Sequence, residues 1–178
     1  MLLAKESPLL DELFASSRNV LGDDYDAYRN HCYRVLNFAL GLAPAEGDTR
    51  TRLEIACFFH DFGIWADATF DYLEPSAARA LAYLRSTGRL AWSAEVRRMV
   101  TEHHRITSAA THGPQVEAFR CADWADVSLG VLRRGLPRGL VTEVRRAFPN
   151  RGFHRRLVTL TLARARRHPL SPLPMIKW

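Results

Sequence analysis

The segment "ACFFHDFGIW", residues 56 to 65, sets His60 beside Asp61 at the end of an apolar helical run, where both side chains are uncommon. His31, His103, His104, Asp123 and Asp126 also lie among apolar neighbours. Imidazole and carboxylate together are the ligand set of a hard or borderline divalent cation. Helical proteins build such sites from side chains that face one another across helices. Taken singly, each residue has a simpler explanation. His31 fits a core histidine bonded to a carbonyl, His60 and Asp61 fit a helix C-terminal cap and turn, and Asp123 fits a pair with Arg120. His103 and His104 fit a polar helix end facing solvent. The combination of His31, His60, Asp61 and Asp123 favours a metal, because unpaired buried carboxylates are strongly unfavourable and one cation compensates them together. The three cysteines, Cys32, Cys57 and Cys121, have no CxxC spacing, so neither a disulfide framework nor a thiolate zinc site is expected. Small buried residues are the expectation for all three, with Cys57 as a minor soft-ligand alternative.

The elements that must position these groups read as helices throughout. Apolar residues recur at three- and four-residue intervals over 8–21, 25–42, 51–63, 75–88, 93–104, 114–132, 139–148 and 153–167. "LAPAEGD", "STGR", "THGP" and "GLPRG" punctuate them, and Pro75 suits a first helical turn. No alternating β-branched stretch competes, so the expected fold class is all-α, a single-domain helical bundle of about eight helices. A chain of 178 residues suits one domain. The tail from residue 169, "PLSPLPMIKW", carries three prolines and should be extended, either packed along the body or disordered. Adjacent helical residues point about 100° apart, so His60 and Asp61 converge on one ion only if the helix end is aimed at it.

Composition narrows the function classes. Hydrophobic residues at 47% and charged residues at 25% exclude a mainly disordered chain. No apolar run is long enough to cross a bilayer, and the first residues are too charged for a signal peptide, so a cytoplasmic protein with no membrane partner is expected. The net charge of +6 is uneven: residues 133–178 hold twelve Lys or Arg and a single acid, Glu143. Such a stretch attracts phosphorylated small molecules, nucleic acid or an acidic protein face. A solvated arginine-rich helical surface explains most of it, and few aromatics are interleaved, so nucleic acid is not the favoured partner.

With those residues in place, the chain resembles the HD-domain superfamily of metal-dependent phosphohydrolases. The resemblance runs over residues 25–130 through "NHCYRVLNFA", "ACFFHDFG" and "FRCADWADVSLG", leaving basic helices over 131–168 and the Pro-rich tail. It implies a divalent ion held by His31, His60, Asp61 and Asp123, with Arg34, Val35 and Gly63 at further motif positions. Asp126 is then a supporting partner or an alternative ligand. Metal identity stays open among Mn, Co, Mg, Ni, Fe and Zn. His103 and His104 resemble the family's later histidine. No histidine stands where members with two metals carry an early one, which argues against a standard dinuclear site. Ile64 replaces a glutamate that some nucleotidase members use as proton donor, so Asp67, His104 or water takes that part. The implied reaction is hydrolysis of a phosphate ester, of a nucleotide or another small phosphorylated metabolite. A metal-activated water attacks phosphorus, His103 or His104 moves a proton, and Arg34 and Arg105 bind phosphate, although Arg34 serves equally well as a structural partner of an acid. The loop "WADATFDYLEPS" is expected to border the pocket. A di-iron oxygenase and a noncatalytic metal- or nucleic-acid-binding protein are the alternatives, and a homodimer is an open assembly state.

Overall fold

The computed structural model describes residues 2–177. The short first helix α1, Pro8–Ser16, starts at a cap in which the Ser7 hydroxyl oxygen accepts from the Leu10 N–H at 3.2 Å, with proline in the first turn. A four-residue turn of helix, α2, Arg18–Leu21, and a 3-10 turn over Gly22–Asp24 lead into α3, Tyr25–Leu42. There follow α4, Gly47–Phe59; α5, Gly63–Ala66; α6, Leu73–Ser86; α7, Ser93–Glu102; and α8, Pro114–Val127. The basic quarter forms α9, Arg138–Ala147, and α10, Phe153–Arg167. Eight of these helices have nine residues or more, and among the described residues the β-type pairing is a single isolated bridge between Arg105 and Lys177.

The centre of the bundle is α3, which buries residues on every side, from Tyr28 and His31 to Arg34, Asn37 and Phe38. A helix wrapped all round by others needs no polar face, and its polar residues must find partners inside. Asn37 does so by accepting from the Ala4 N–H and donating to the Ala4 and Tyr33 carbonyls, which ties down the N-terminal segment. The most extensive packing partner of α3 is α8, while α4, α9 and α10 close further sides and α7 packs on α4 and α8. One apolar core runs from Leu10 through Phe58 and Phe119 to Phe153. The three cysteines are buried and free, Cys32 and Cys57 within this core and Cys121 beside Arg120 and Glu117.

Helices form at each periodic segment, α3 and α10 matching residue for residue, while 8–21 is broken at Ser17 and 114–132 ends as helix at Val127. The informative departures are at α4 and α7. Periodicity carries both helices through their histidines, yet α4 stops at Phe59 and α7 at Glu102, leaving His60–Asp61 and His103–His104 in the turns that follow. Apolar spacing does not distinguish a last helical turn from the turn beyond it. The tail packs along the body: Met175 is buried and the Ile106 N–H donates to the Lys177 carbonyl at 2.8 Å, while Trp178 lies outside the described residues.

Two local devices hold the histidine-bearing turns. After His60–Asp61, Gly63 lets α5 touch the start of α6, since a Cβ there would lie 2.9 Å from Ser76 Oγ and 3.0 Å from the Tyr72 carbonyl oxygen. The Gly63 N–H donates to Ser76 Oγ across this contact. After His103–His104, the Arg105 carbonyl accepts from Arg120 Nη1 and Trp124 Nε1 on α8. Glu117 accepts from Arg120 and from the Ala109 N–H, at 2.6 and 2.7 Å. The hydrogen bond and charge of Arg120, joined by the Ala109 N–H, hold the Glu117 carboxyl down to about 2 against its partial burial.

Gly63→Ala is expected to lower stability by about 1–3 kcal/mol through overpacking against α6; an unchanged melting temperature would show that α6 gives way freely. Because the Glu117 pKa is depressed in the fold, its contribution is present above about 4.5 and fades as pH falls toward about 2. Glu117→Gln should therefore cost about 1–2 kcal/mol at neutral pH, a figure discounted for partial exposure. Chemical denaturation as a function of pH should show the gap closing in acid, and a gap that persists there would assign the loss to something other than the carboxylate charge.

Candidate metal centre

Each ligand candidate arrives from a different part of the bundle. His31 stands on the buried face of α3, His60 and Asp61 leave the end of α4, His103 and His104 leave the end of α7, and Asp123 and Asp126 lie on α8. His60 and His103 still hold helical φ/ψ at the ends of α4 and α7, so both members of each pair reach the centre because the helix end is aimed at it. The C-terminal ends of α4 and α7 also bring their partial negative charge toward the site, which favours a cation.

The hydrogen bonds fix which nitrogens face inward. His31 Nδ1 lies 2.7 Å from Asp126 Oδ2, His60 Nδ1 lies 2.9 Å from the Cys57 carbonyl, and His103 Nδ1 lies 2.7 Å from the Val100 carbonyl. Each of these contacts puts a proton on Nδ1, and in the neutral ring that leaves a lone pair on Nε2. Yet His31 Nε2 and His60 Nε2 face each other at 2.9 Å, and both face Asp61 Oδ2, at 3.6 and 3.4 Å. Asp123 Oδ1 is 3.6 Å from His31 Nε2. On the other side His103 Nε2 meets Asp61 Oδ1 at 3.3 Å, and His104 Nδ1 meets Asp123 Oδ2 at 3.3 Å. These are mostly acceptors pointed at acceptors. Asp61 Oδ1, His103 Nε2 and both Asp123 oxygens are buried without a hydrogen-bond donor.

Two ligand groups emerge, His31–His60–Asp61 and Asp61–His103–His104, sharing Asp61. Either could hold a divalent cation, and Asp123 borders both. The electrostatics point the same way. Burial pushes His60 down to about 3, keeping it neutral and ready to donate its lone pair. Burial would raise Asp61, but His60, His103 and His31 hold it below the ordinary carboxylate range. Burial, with Asp61 and Asp126 nearby, drives Asp123 up to about 7 despite His103 and His31. Burial lowers His103, and the nearby Asp61 and Asp123 carboxylates raise it by more, so positive charge is favoured in its place. Burial and His103 push His104 well down, leaving it neutral.

No family model, curated protein or solved structure matches the chain. The helical architecture and the buried histidine and aspartate group are compatible with the HD-type site that the sequence resembles. His31, His60, Asp61 and Asp123 converge, and both His103 and His104 join them, giving a second ligand group even though no histidine precedes them after the doublet. At Arg34 and Asp126 the structure selects between the stated alternatives, and at Asp67 it departs from the expectation. Arg34 is turned inward, with Nε and Nη2 on the two Asp126 oxygens at 2.6 and 2.8 Å and Nη1 on the Phe148 carbonyl, so it is the structural partner of an acid and not a phosphate ligand. Asp126 has both oxygens engaged by Arg34 and His31, which makes it the group that orients His31 and not an alternative ligand. Asp67 pairs with Arg79 at 2.7 Å on the surface, outside the centre. Arg105 is partly exposed next to His104, with Nε donating to Thr107 Oγ1. Cys57 contributes its carbonyl to His60, while its thiol stands outside both groups.

Some supporting residues have weak or no local signatures. Tyr72 bonds His104 Nε2 through its hydroxyl at 2.8 Å, a role hidden in a loop where aromatic residues read as packing or stacking. Tyr28 donates to the Phe58 carbonyl at 2.5 Å and accepts from the Asp61 N–H at 3.3 Å; its one sequence signal is its place three residues before His31 on the same face. Phe153 stacks on His31 with ring centres 4.0 Å apart, and it comes from α10, over a hundred residues away. The centre is thus nearly sealed, and His104, with its side chain 12% exposed, marks the side that solvent reaches.

Asp126→Asn removes the charge facing buried Arg34 and weakens the acceptor that sets the His31 tautomer. Divalent-ion affinity, read by competition with a chromogenic chelator, should fall roughly 10–100-fold, together with a loss of stability of about 3–5 kcal/mol from the uncompensated guanidinium. Unchanged affinity in the folded variant would remove Asp126 from the centre.

Proposed function

We propose that this protein is a metal-dependent phosphohydrolase of the HD type, acting on a phosphate ester of a nucleotide or another small phosphorylated metabolite. The observation that carries the proposal is the 2.9 Å approach of His31 Nε2 to His60 Nε2, two lone pairs whose ring partners already hold the protons, beside the donorless oxygens of Asp61 and Asp123. A cation satisfies all of these atoms at once. A bound divalent ion would supply Lewis acidity toward a phosphoryl oxygen and activate water for attack near neutral pH. Asp61 belongs to both ligand groups and would align them. With one ion on His31, His60, Asp61 and Asp123, His104 is free to move a proton at Nδ1 on the solvent side, with Tyr72 holding its other nitrogen. Arg105, beside it, faces Glu102 at 3.5 Å and would turn from that partner to meet a phosphate at that side. The sealed setting, with Phe153 over His31, excludes bulk water from the reacting groups.

A second reading is favoured by one specific observation, the Asp61–His103–His104 group, which gives room for a second ion and so for a di-iron oxygenase. Elemental analysis separates the two. The expected outcome for the hydrolase is one or two divalent ions per chain that are lost in Asp61→Ala, with phosphate release from aryl and nucleotide esters lost in parallel. Two irons per chain with oxygen consumption and no phosphate release would favour the oxygenase. Retained metal and retained turnover in Asp61→Ala, or no metal in the wild type after reconstitution with manganese, cobalt or nickel, would defeat the metal assignment.

A further inference from the structure

A cleft of about 840 Å³ opens between α10 and the segment from α5 to Phe70, on the far side of Trp65 from the metal centre. None of the metal-centre residues lines it. Trp65 packs on Tyr28 with ring centres 4.4 Å apart, and Tyr28 lies between it and the rings of His31 and His60. Two successive aromatic side chains, Trp65 and Tyr28, therefore lie between the cleft and the histidines of the centre.

The walls differ in character. The inner wall is apolar, with Ile64, Trp65 and Phe70 facing Leu160 of α10. The outer wall is basic, because α10 turns residues 156, 160, 163, 164 and 167 inward, a spacing that places them on one helical face. The charge balance is set residue by residue. Asp24 accepts from Trp65 Nε1 at 2.9 Å and faces Arg156 Nε at 2.9 Å, so it fixes the aromatic wall and neutralises Arg156. Arg164 has the Ser171 carbonyl at 3.4 Å as a weak partner, and among the described residues no carboxylate pairs with Arg164 or Arg167. Asp23, on the rim, is the one acid in the lining left to oppose them. His168 adds a further donor beside Arg167. The backbone supports a shaped wall: Ala68 holds a left-handed φ of 48°, and Arg79 grips Asp67 and the Ala66 carbonyl just before it. A non-glycine residue in that conformation persists where its surroundings over-determine it.

We propose that this cleft is a second ligand site, for an organic anion with a flat apolar body: the anionic group lies on Arg164 and Arg167, and the body lies between Trp65, Phe70 and Leu160. Its volume falls in the range of small-molecule sites, which are apolar with a few charged groups that fix orientation. Guanidinium groups suit phosphate, sulfonate and carboxylate alike through paired N–H donors. The site gives part of the basic C-terminal quarter a use apart from solubility, and it is independent of the metal.

The test uses naphthyl phosphate as probe and the full-length protein stripped of metal with chelator, so that the centre neither binds nor hydrolyses the ester. Saturable binding by calorimetry is expected, weakened at least about tenfold in the double variant Arg164→Glu with Arg167→Glu and weakened by raised salt. The matched control, Arg155→Glu with Arg166→Glu, changes charge equally on the other side of α10, outside the lining, and should bind nearly as wild type. Inorganic phosphate and naphthol should each compete poorly, since each lacks half of what the cleft recognises. Absence of saturable binding, or equal weakening in both double variants, overturns the proposal. So does inorganic phosphate competing as well as the aryl ester. Binding that requires restored metal and ignores Arg164 and Arg167 would place the anion at the metal centre, overturning this site while leaving the hydrolase proposal standing.

Discussion

Three carboxylates, Asp61, Asp123 and Asp126, are buried side by side, and a fixed protein cation reaches one of them, Arg34 at Asp126. Burial of an uncompensated carboxylate is among the most unfavourable arrangements a folded chain can hold. The rest of the centre is organised by that constraint. Imidazoles crowd the remaining two acids, but His31 and His60 have given their Nδ1 protons to fixed acceptors and turn Nε2 toward each other. Negative oxygen and electron-rich nitrogen then share a space in which Asp61 Oδ1 and both Asp123 oxygens find no hydrogen-bond partner. A divalent cation resolves the conflict with the least rearrangement, and burial beside Asp61 and Asp126 pushes Asp123 upward in the same sense.

Around that centre the framework has two layers of support. Arg34 and Asp126 form a buried bidentate pair that also fixes the His31 ring, while backbone carbonyls at Cys57 and Val100 fix His60 and His103. These partners determine which nitrogen faces inward, a choice that sets metal affinity as strongly as the ligands' identity. The helices then hold the turns that carry the ligands. Gly63 against Ser76, and the Arg120–Glu117 clamp beside Arg105 and Ala109, anchor the two exits from α4 and α7. Rigid anchors of this kind preserve a geometry that loops alone would blur.

The basic C-terminal quarter joins the site through α10. Phe153 covers His31, Arg156 meets Asp24, and the tail reaches back so that Lys177 pairs with the strand-like residues after His104. Charge that reads in the sequence as a solvated surface is therefore divided: part meets acids of the N-terminal half, and part lines the cleft beside Trp65.

The sequence by itself determined the all-helical class, the spans of α3 and α10 and the residues capable of holding a metal, because helical periodicity and the rarity of His and Asp in apolar runs are local properties. It also placed Arg34 and Asp126 in the neighbourhood of the centre without separating a phosphate ligand from a structural cation. Only the tertiary structure decided that. The direction of a guanidinium depends on which carboxylate lies across from it, here one 92 residues away, and no spacing rule encodes such a meeting. The same holds for Phe153 over His31, for Tyr72 on His104, for Asp67 turning to Arg79 at the surface, and for the joining of His103 and His104 to Asp61 as a second ligand group. Residue type names what a side chain can do; the packing of helices distant in sequence decides which atoms meet, which protons are already committed and which lone pairs are left for a cation.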